Sequence, residues 1–173
     1  MKTSLVVNYY LNHKKMNRNI RLTALLLAIT SAPFAPSCKK DKDNNDNGAK
    51  TKTELLTAGP WKYTACNINP AYDYYGDGNA TTNIFDIMKS CEKDDFETYK
   101  TNGTWEYNEG PSKCDPLYPQ IFSEPWSFAN NETKLLVGTV EHTILELTAT
   151  TLKLRYNVED AGVIYTEEDT YEH

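Results

Sequence analysis

The sequence predicts an all-β fold: a single up-and-down antiparallel β-barrel of about eight strands, with one short helix between the first and second strands. From residue 61 onward, short β-prone segments alternate with turn residues. The strand–helix–strand alternation typical of a parallel sheet is missing from this pattern. Closing such a meander into a barrel removes its exposed edges, which favours a barrel over the alternative, a β-sandwich.

A hairpin turned at Asn102-Gly103 is the clearest element, because both residue types tolerate a positive φ angle. Two registers are open. A two-residue loop would place Phe96, Trp105 and Tyr107 on one face. A type I turn followed by a bulge at the glycine would pair Tyr99 with Trp105 and place both on the face of Tyr107. The second register separates aromatic from polar residues more cleanly, so it is the one predicted.

The first strand is predicted to begin at Trp61, directly after Gly59-Pro60 and downstream of one helical turn within residues 51–58. Residues 84–88 read Ile-Phe-Asp-Ile-Met, with apolar residues at i, i+3 and i+4. They are predicted to form a short helix that covers one barrel mouth or packs on the barrel wall. Residues 115–123 contain two prolines and no periodicity, which predicts a loop. Besides the hairpin, strands are predicted at residues 61–68, 125–129, 134–138, 141–147, 152–156 and 163–171.

Strand alternation predicts which side chains point inward. Residues 152–156 alternate between bulky and charged residues, whereas the facing of residues 141–147 is ambiguous. In that second strand, Thr143, Leu145 and Leu147 are assigned to one face. The candidate residues for lining a ligand or filling the core are Tyr99, Trp105, Tyr107, Trp126, Phe128, Leu152, Leu154 and Tyr156.

A loop after the first strand has some features of a calcium-binding loop. Asp73, Asp77 and Gly78 fit positions one, five and six of such a loop, but Tyr75 and Ile84 stand where two further ligands belong. Asp73 and Asp77 are therefore weak metal candidates, and a turn with exposed carboxylates is the preferred interpretation. The tyrosines of this loop (Tyr72, Tyr74 and Tyr75) are expected either to stack on a ligand or to cover the barrel mouth.

The cysteines predict one disulfide. Cys91 and Cys114 flank the hairpin, so its strands bring them close together. Cys66 is then expected to be a buried thiol on the first strand, with competition for one of the other two as the alternative. Zinc is not expected, because the chain has no Cys-x-x-Cys pair and no suitably spaced histidines.

Residues 1–37 are predicted to be a signal peptide, whose translation starts at Met1 or Met16. They combine a basic start, a short apolar run and small residues before Cys38. This arrangement resembles a bacterial lipoprotein signal, in which the cysteine is acylated and becomes the mature N-terminus. The resemblance implies that Cys38 is lipidated and that a membrane is a partner of the protein. The expected location is the cell envelope, as an outer-membrane lipoprotein.

Residues 38–52 form a charged, asparagine-rich segment that is expected to be a disordered tether. The segment resembles leaders of surface-exposed lipoproteins, although a plain spacer is the alternative. The barrel domain is assigned to residues 53–173. Thirteen Lys and Arg against twenty-four Asp and Glu remain after the signal, a net charge of about −11. An acidic domain repels phosphate backbones, so nucleic acid is not an expected partner. A monomer is expected.

Several short motifs are spread over residues 55–171. They are Gly59-x-Trp61, Asp77-Gly78 before the short helix, Cys91-Glu-Lys-Asp-Asp95, Tyr99-x-x-Asn-Gly-Thr104, Cys114, Glu124-Pro-Trp126 and Leu147-Thr148-x-x-x-Leu152-x-Leu154. Together they resemble the lipocalin-like domain family of bacterial lipoproteins. The resemblance implies a barrel closed at one end by Gly59 and Trp61, in a family whose members mostly have no assigned activity. The chain departs from the classical lipocalins in having no arginine near the last strand to cover the tryptophan.

No catalytic motif is recognisable in the sequence, so the protein is not expected to be an enzyme or to carry a cofactor. Glu92, Asp94 and Asp95 are interpreted as a solvated acidic turn, and His142 as an exposed histidine.

Two functions are therefore expected from the sequence. The first is a membrane-anchored lipoprotein whose barrel binds a small apolar or aromatic-stacking ligand. The second is a structural or interaction lipoprotein whose barrel is filled by its own side chains.

Overall fold

The computed structural model describes residues 49–173. The predicted signal peptide, the predicted lipidation site Cys38 and most of the predicted tether lie outside these residues. In the described part, no helix has the length and apolar character needed to cross a membrane.

The described residues form the predicted closed antiparallel barrel of eight strands. Each barrel strand pairs with the next along the chain, and the last strand pairs with the first. The elements are α1 (Lys52–Leu56), β1 (Pro60–Tyr72), β2 (Thr81–Asn83), α2 (Ile84–Ile87), α3 (Ser90–Lys93), β3 (Phe96–Tyr99), β4 (Thr104–Asn108), β5 (Ile121–Ala129), β6 (Lys134–Val137), β7 (Val140–Leu147), β8 (Thr151–Asp160) and β9 (Val163–Glu172).

The connection between β1 and β3 contains more elements than the one short helix that the sequence predicts. It contains two short helices, α2 and α3, and the three-residue strand β2. Strand β2 pairs with the far half of β1, whose near half pairs with β3. It therefore covers an edge of β1 that β3 is too short to reach. Asn83 caps α2 by accepting a hydrogen bond from the Asp86 amide at 3.2 Å.

A β-bulge in β1 decides which of its residues face the interior. Trp61 and Tyr63 are buried at alternate positions, after which the buried residues are Cys66 and Ile68. The register against β9 shifts between Tyr63 and Ala65. The extra residue reverses the phase of the alternation, so all four side chains point into the barrel.

The structure confirms the predicted hairpin register. Tyr99 pairs with Trp105, the Lys100 amide donates to the Thr104 carbonyl, and Gly103 has a φ angle of +81°. The predicted disulfide between Cys91 and Cys114 is also confirmed, with Cα atoms 5.2 Å apart. Cys66 is a buried free thiol, as expected.

Two details of the predicted strands are wrong. Strand β5 begins at Ile121, inside the predicted loop, because residues 121–125 pair along the whole of β4. In β7, a register shift between Ile144 and Glu146 turns Leu145 outward, where it is 38% exposed. Leu145 and Leu147 therefore do not share a face, and Ile144 takes the inward position.

Trp61 is buried at the start of β1, beside α1. Its side chain is fully buried, and its Nε1 donates to the Leu56 carbonyl of α1 at 2.8 Å. The His173 ring stacks on the indole with ring centroids 3.7 Å apart. A histidine thus covers the tryptophan in this chain, where an arginine does so in the classical lipocalins. Gly59 lies beside the His173 ring, because a Cβ on residue 59 would be 3.6 Å from that ring.

We expect Gly110→Ala to destabilise the barrel strongly. Gly110 has a φ angle of +62°, and a Cβ there would lie 2.4 Å from the Asp94 carbonyl oxygen. The clash and the backbone strain together should lower the free energy of unfolding by about 3 kcal/mol or more in urea titration.

Gly78→Ala is the matched control, because Gly78 has a φ angle of +91° but open space around the Cβ position. It should lose only about 1–2 kcal/mol. Equal losses in the two variants would contradict the steric argument.

Candidate functional site

Five carboxylates of the described residues are buried, and three of them share hydrogen-bond donors inside the barrel. These three are Glu97 on β3 and Glu167 and Asp169 on β9, with exposures of 8%, 2% and 1%. Strand alternation places them there, because the inward face of β9 reads Tyr165, Glu167, Asp169, Tyr171 in every second position. We call these three residues the interior acids.

Asp169 is held by tyrosine hydroxyls. Tyr63 of β1 donates to its Oδ1, and Tyr156 of β8 donates to its Oδ2 at 3.0 Å. Tyr171 lies 3.3 Å from the same Oδ2. Burial raises the pKa of all three tyrosines well above the usual value, so these hydroxyls stay protonated and act as donors.

Glu97 is fully hydrogen-bonded. Its Oε1 accepts from Tyr171 at 3.0 Å, and its Oε2 accepts from Tyr99 and from the Trp105 indole, both at 2.9 Å. Two of the predicted lining residues, Tyr99 and Trp105, therefore serve as donors to a buried acid. Burial raises the pKa of Glu97 to about 6 despite these bonds.

Glu167 differs from the other two acids in having one oxygen without a partner. Its Oε1 accepts from Tyr156 at 2.8 Å and lies 3.4 Å from the Cys66 Sγ. Its Oε2 is shielded from solvent and has no hydrogen-bond partner among the described residues. Since an unpaired buried oxygen is costly, Glu167 is the incomplete position of the cluster.

The interior acids have no cationic partner among the described residues. The four ion pairs of the described chain all lie on the outer face and use Glu106, Glu141, Glu146 and Glu168. Burial, followed by the charge of Glu167, raises the pKa of Asp169 to about 8, and burial raises that of Glu167 as well. The interior acids therefore either carry negative charge that no cation balances or are protonated.

His142 is half-buried against Tyr156, so the expectation of an exposed histidine is wrong. It pairs with the buried Leu135, and its ring meets the Tyr156 ring edge to face at 4.7 Å. Its Nδ1 is shielded and has no partner within the described residues. Burial lowers the pKa of His142 to about 4, so the imidazole is neutral and does not balance the acids.

The acidic turn before β3 is not solvated, which corrects a second expectation. Asp95 is 6% exposed and accepts a hydrogen bond from Tyr107, another predicted lining residue. Asp94 accepts from the Ser112 amide at 3.0 Å. The return of the chain through residues 109–112 covers this turn, an effect of tertiary packing that local sequence does not reveal.

The tyrosine loop is packed on the barrel. Tyr75 donates to Glu92 of α3 at 2.9 Å, and Tyr72 donates to Asp160 at 3.0 Å. The Asp73 carboxylate accepts from the amides of residues 77 and 78, both at 3.0 Å. The carboxylates of this loop thus order its own backbone, as in the preferred interpretation of a turn.

The remaining predicted lining residues lie on the inner face in two groups. Leu152 and Leu154 are fully buried on β8. Trp126 and Phe128 of β5 are half-buried and in edge contact with each other, and the Trp126 ring also meets Tyr99. Leu154 pairs directly with Asp169 across β8 and β9, so these apolar residues are neighbours of the interior acids.

Sequence reasoning missed the interior acids, although a signal was present. Of the three acidic residues between Tyr165 and Tyr171, Glu167 and Asp169 share the alternation phase of the two tyrosines. Only the aromatic residues at both ends of that phase indicate that it faces inward, and charged residues usually face solvent.

The sequence matches no model of a known protein family. A comparison with curated proteins also finds no match.

We expect Asp95→Asn to change how stability depends on pH. Burial raises the pKa of Asp95 to about 7, above its usual value of about 3.9. The stabilisation from the bound proton is therefore present below about pH 4 and is lost as pH rises through 7. The asparagine keeps an oxygen for Tyr107, so the variant should be more stable than the parent at pH 8 by about 1–2 kcal/mol, with little difference at pH 4.

Urea unfolding at several pH values measures this difference. Asp86→Asn, which changes an exposed carboxylate, serves as the control and should follow the parent protein. A constant offset between Asp95→Asn and the parent across the pH range would contradict the assignment.

Proposed function

We propose that this protein is a lipid-anchored cell-envelope protein whose barrel binds a small positively charged ligand. The observation that carries the proposal is the set of interior acids without a cationic partner in the described chain. A ligand with a positive charge would supply the missing partner.

The acidic interior favours a charged ligand over a wholly apolar one. An apolar molecule beside Glu167 and Asp169 would exclude water without replacing its hydrogen bonds, which is unfavourable for a carboxylate. Aromatic stacking stays compatible with the proposal, since Trp126 and Phe128 are half-buried on the inner face. We therefore propose a cationic ligand in place of the wholly apolar one expected from the sequence.

The proposed envelope location rests on two supports. The sequence before Cys38 resembles a lipoprotein signal. The disulfide between Cys91 and Cys114 fits an oxidising compartment outside the inner membrane. The lipid anchor and the lipocalin-like family membership remain part of the proposal.

The second candidate function is a structural lipoprotein with a filled barrel. It is favoured by the hydroxyl donors on the interior acids and by the bulk of buried side chains such as Trp105, Tyr99 and Tyr171. In that case the raised pKa values of Asp169 and Glu167 would mean that protons, and not a ligand, complete the cluster.

We expect Asp169→Asn to separate the two functions. If the cluster binds a cation, removing this buried charge should lower ligand affinity at least tenfold and leave the ligand-free protein as stable or more stable. Native mass spectrometry of protein from its own host would detect a bound species. Thermal unfolding with phenethylamine, its neutral isostere 2-phenylethanol, and Zn²⁺ would detect binding to purified protein.

Glu168→Gln is the matched control, because Glu168 is the neighbour of Asp169 on the outer face of β9 and pairs with Arg155. It should behave as the parent protein. If neither an amine nor a divalent ion stabilises the parent and no ligand accompanies it from the host, the binding proposal is wrong and the filled barrel stands.

A further inference from the structure

One corner of the barrel interior gathers three different metal-ligating groups. The Cys66 sulfur and one carboxylate oxygen each of Glu167 and Asp169 lie within 4.8 Å of one another. All three residues are at most 2% exposed. The β1 bulge and the pairing of Cys66 with Asp169 across β1 and β9 create this arrangement.

We propose that Cys66, Glu167 and Asp169 form a binding site for a zinc-like divalent transition-metal ion. This inference rests on the proposed function, because it names the cation that the acidic interior takes. We call the three residues the Cys-Glu-Asp site.

An independent observation points to a ligand at this position. The Oε2 atom of Glu167 is buried and has no hydrogen-bond partner among the described residues. The other interior acids differ, since both oxygens of Glu97 and of Asp169 accept hydrogen bonds from tyrosines. The oxygen left unpaired therefore belongs to an acid whose other oxygen contacts the thiol.

The spacing of the groups suits one ion. Two ligand atoms on a tetrahedral zinc are about 3.3–3.8 Å apart, and the Cys66 Sγ already lies 3.4 Å from Glu167 Oε1. Buried side chains such as Tyr63 and Tyr171 surround the corner. An ion needs only the space between the ligand atoms.

The donor set selects the type of metal. A sulfur ligand favours Zn²⁺ or Co²⁺ over Mg²⁺ and Ca²⁺, which take oxygen ligands. Tyr63 already donates to Asp169, and the single proton of the Tyr156 hydroxyl is shared between Asp169 and Glu167. Such bonds hold ligating carboxylates in position around a metal.

Metal binding at this site exchanges a proton for the ion. The Cys66 thiol loses its proton as the sulfur–metal bond forms, and any proton on Glu167 or Asp169 also leaves to solvent. No oxidation or reduction occurs. Burial raises the pKa of the Cys66 thiol, so the free protein keeps that proton until a metal displaces it.

The test uses the full chain with Cys38→Ser, which leaves Cys66 as the one cysteine outside the disulfide. Titration with Co²⁺ alone should produce a thiolate-to-cobalt charge-transfer band that saturates at one ion per chain. Zn²⁺ should displace the cobalt and bleach the band. Adding Cys66→Ser should abolish the band and weaken Zn²⁺ binding at least tenfold.

Glu167→Gln and Glu168→Gln form a matched pair on the inner and outer faces of β9. The inner variant should weaken Zn²⁺ binding at least tenfold, and the outer variant should bind as the parent does. Because Glu167→Gln preserves side-chain size, it tests the site even if Cys66→Ser does not fold.

The outcomes separate this inference from the proposed function. A missing cobalt band in the folded Cys38→Ser chain, or a band that Glu167→Gln leaves unchanged, would overturn the metal site. If phenethylamine still stabilises the protein in an Asp169-dependent way, cation binding stands without the metal site. If neither metal nor amine binds, both proposals fail.

Discussion

The closure of the barrel between β1 and β9 is the constraint on which the interior depends. This pairing sets Cys66 opposite Asp169 and Tyr63 opposite Tyr171. The bulge between Tyr63 and Ala65 allows residues on both sides of it to face inward. Without the extra residue, the phase of β1 would put either the tyrosine or the thiol in solvent. The same pairing thus closes the fold and assembles the candidate site.

The interior acids are an unusual way to fill a small barrel. Packing with apolar residues would avoid the desolvation of three carboxylates, and buried ion pairs would at least match their charge. This chain instead surrounds the acids with tyrosine hydroxyls, which are neutral donors. Hydroxyl donors reduce the penalty of burial but leave the negative charge in place, so the site stays ready for a cation or a proton.

The parts of the fold that follow from local sequence were predictable. Asn102-Gly103 determines the hairpin register, since Gly103 takes the positive φ angle that the bulge after the turn requires. The disulfide follows from that hairpin, and the inward face of β8 follows from strict alternation at Leu152 and Leu154. Each of these features depends on residues close together in the chain.

The features that sequence reasoning missed depend on distant contacts. The β7 bulge that turns Leu145 outward contains no glycine or other turn residue that would reveal it in the sequence. The burial of Asp95 requires the return of residues 109–112, and the burial of His142 requires Tyr156 on the neighbouring strand. Glu167 and Asp169 were missed for a different reason. Polar residues are usually outside, and only the closed barrel shows which phase of β9 is the inner one.

The charge of the whole domain adds to the argument for a cationic ligand. Residues 38–173 carry a net charge of about −11. The exposed cations Lys100, Lys134 and Arg155 are paired with acids on the outer face. The outer surface and the interior therefore both carry negative net charge. The electrostatic field of the domain thus favours the approach of cations and disfavours that of anions. Since the neutral His142 adds no positive charge to the interior, the compensating charge that the acids lack has to come from solution, as a proton or as a bound cation.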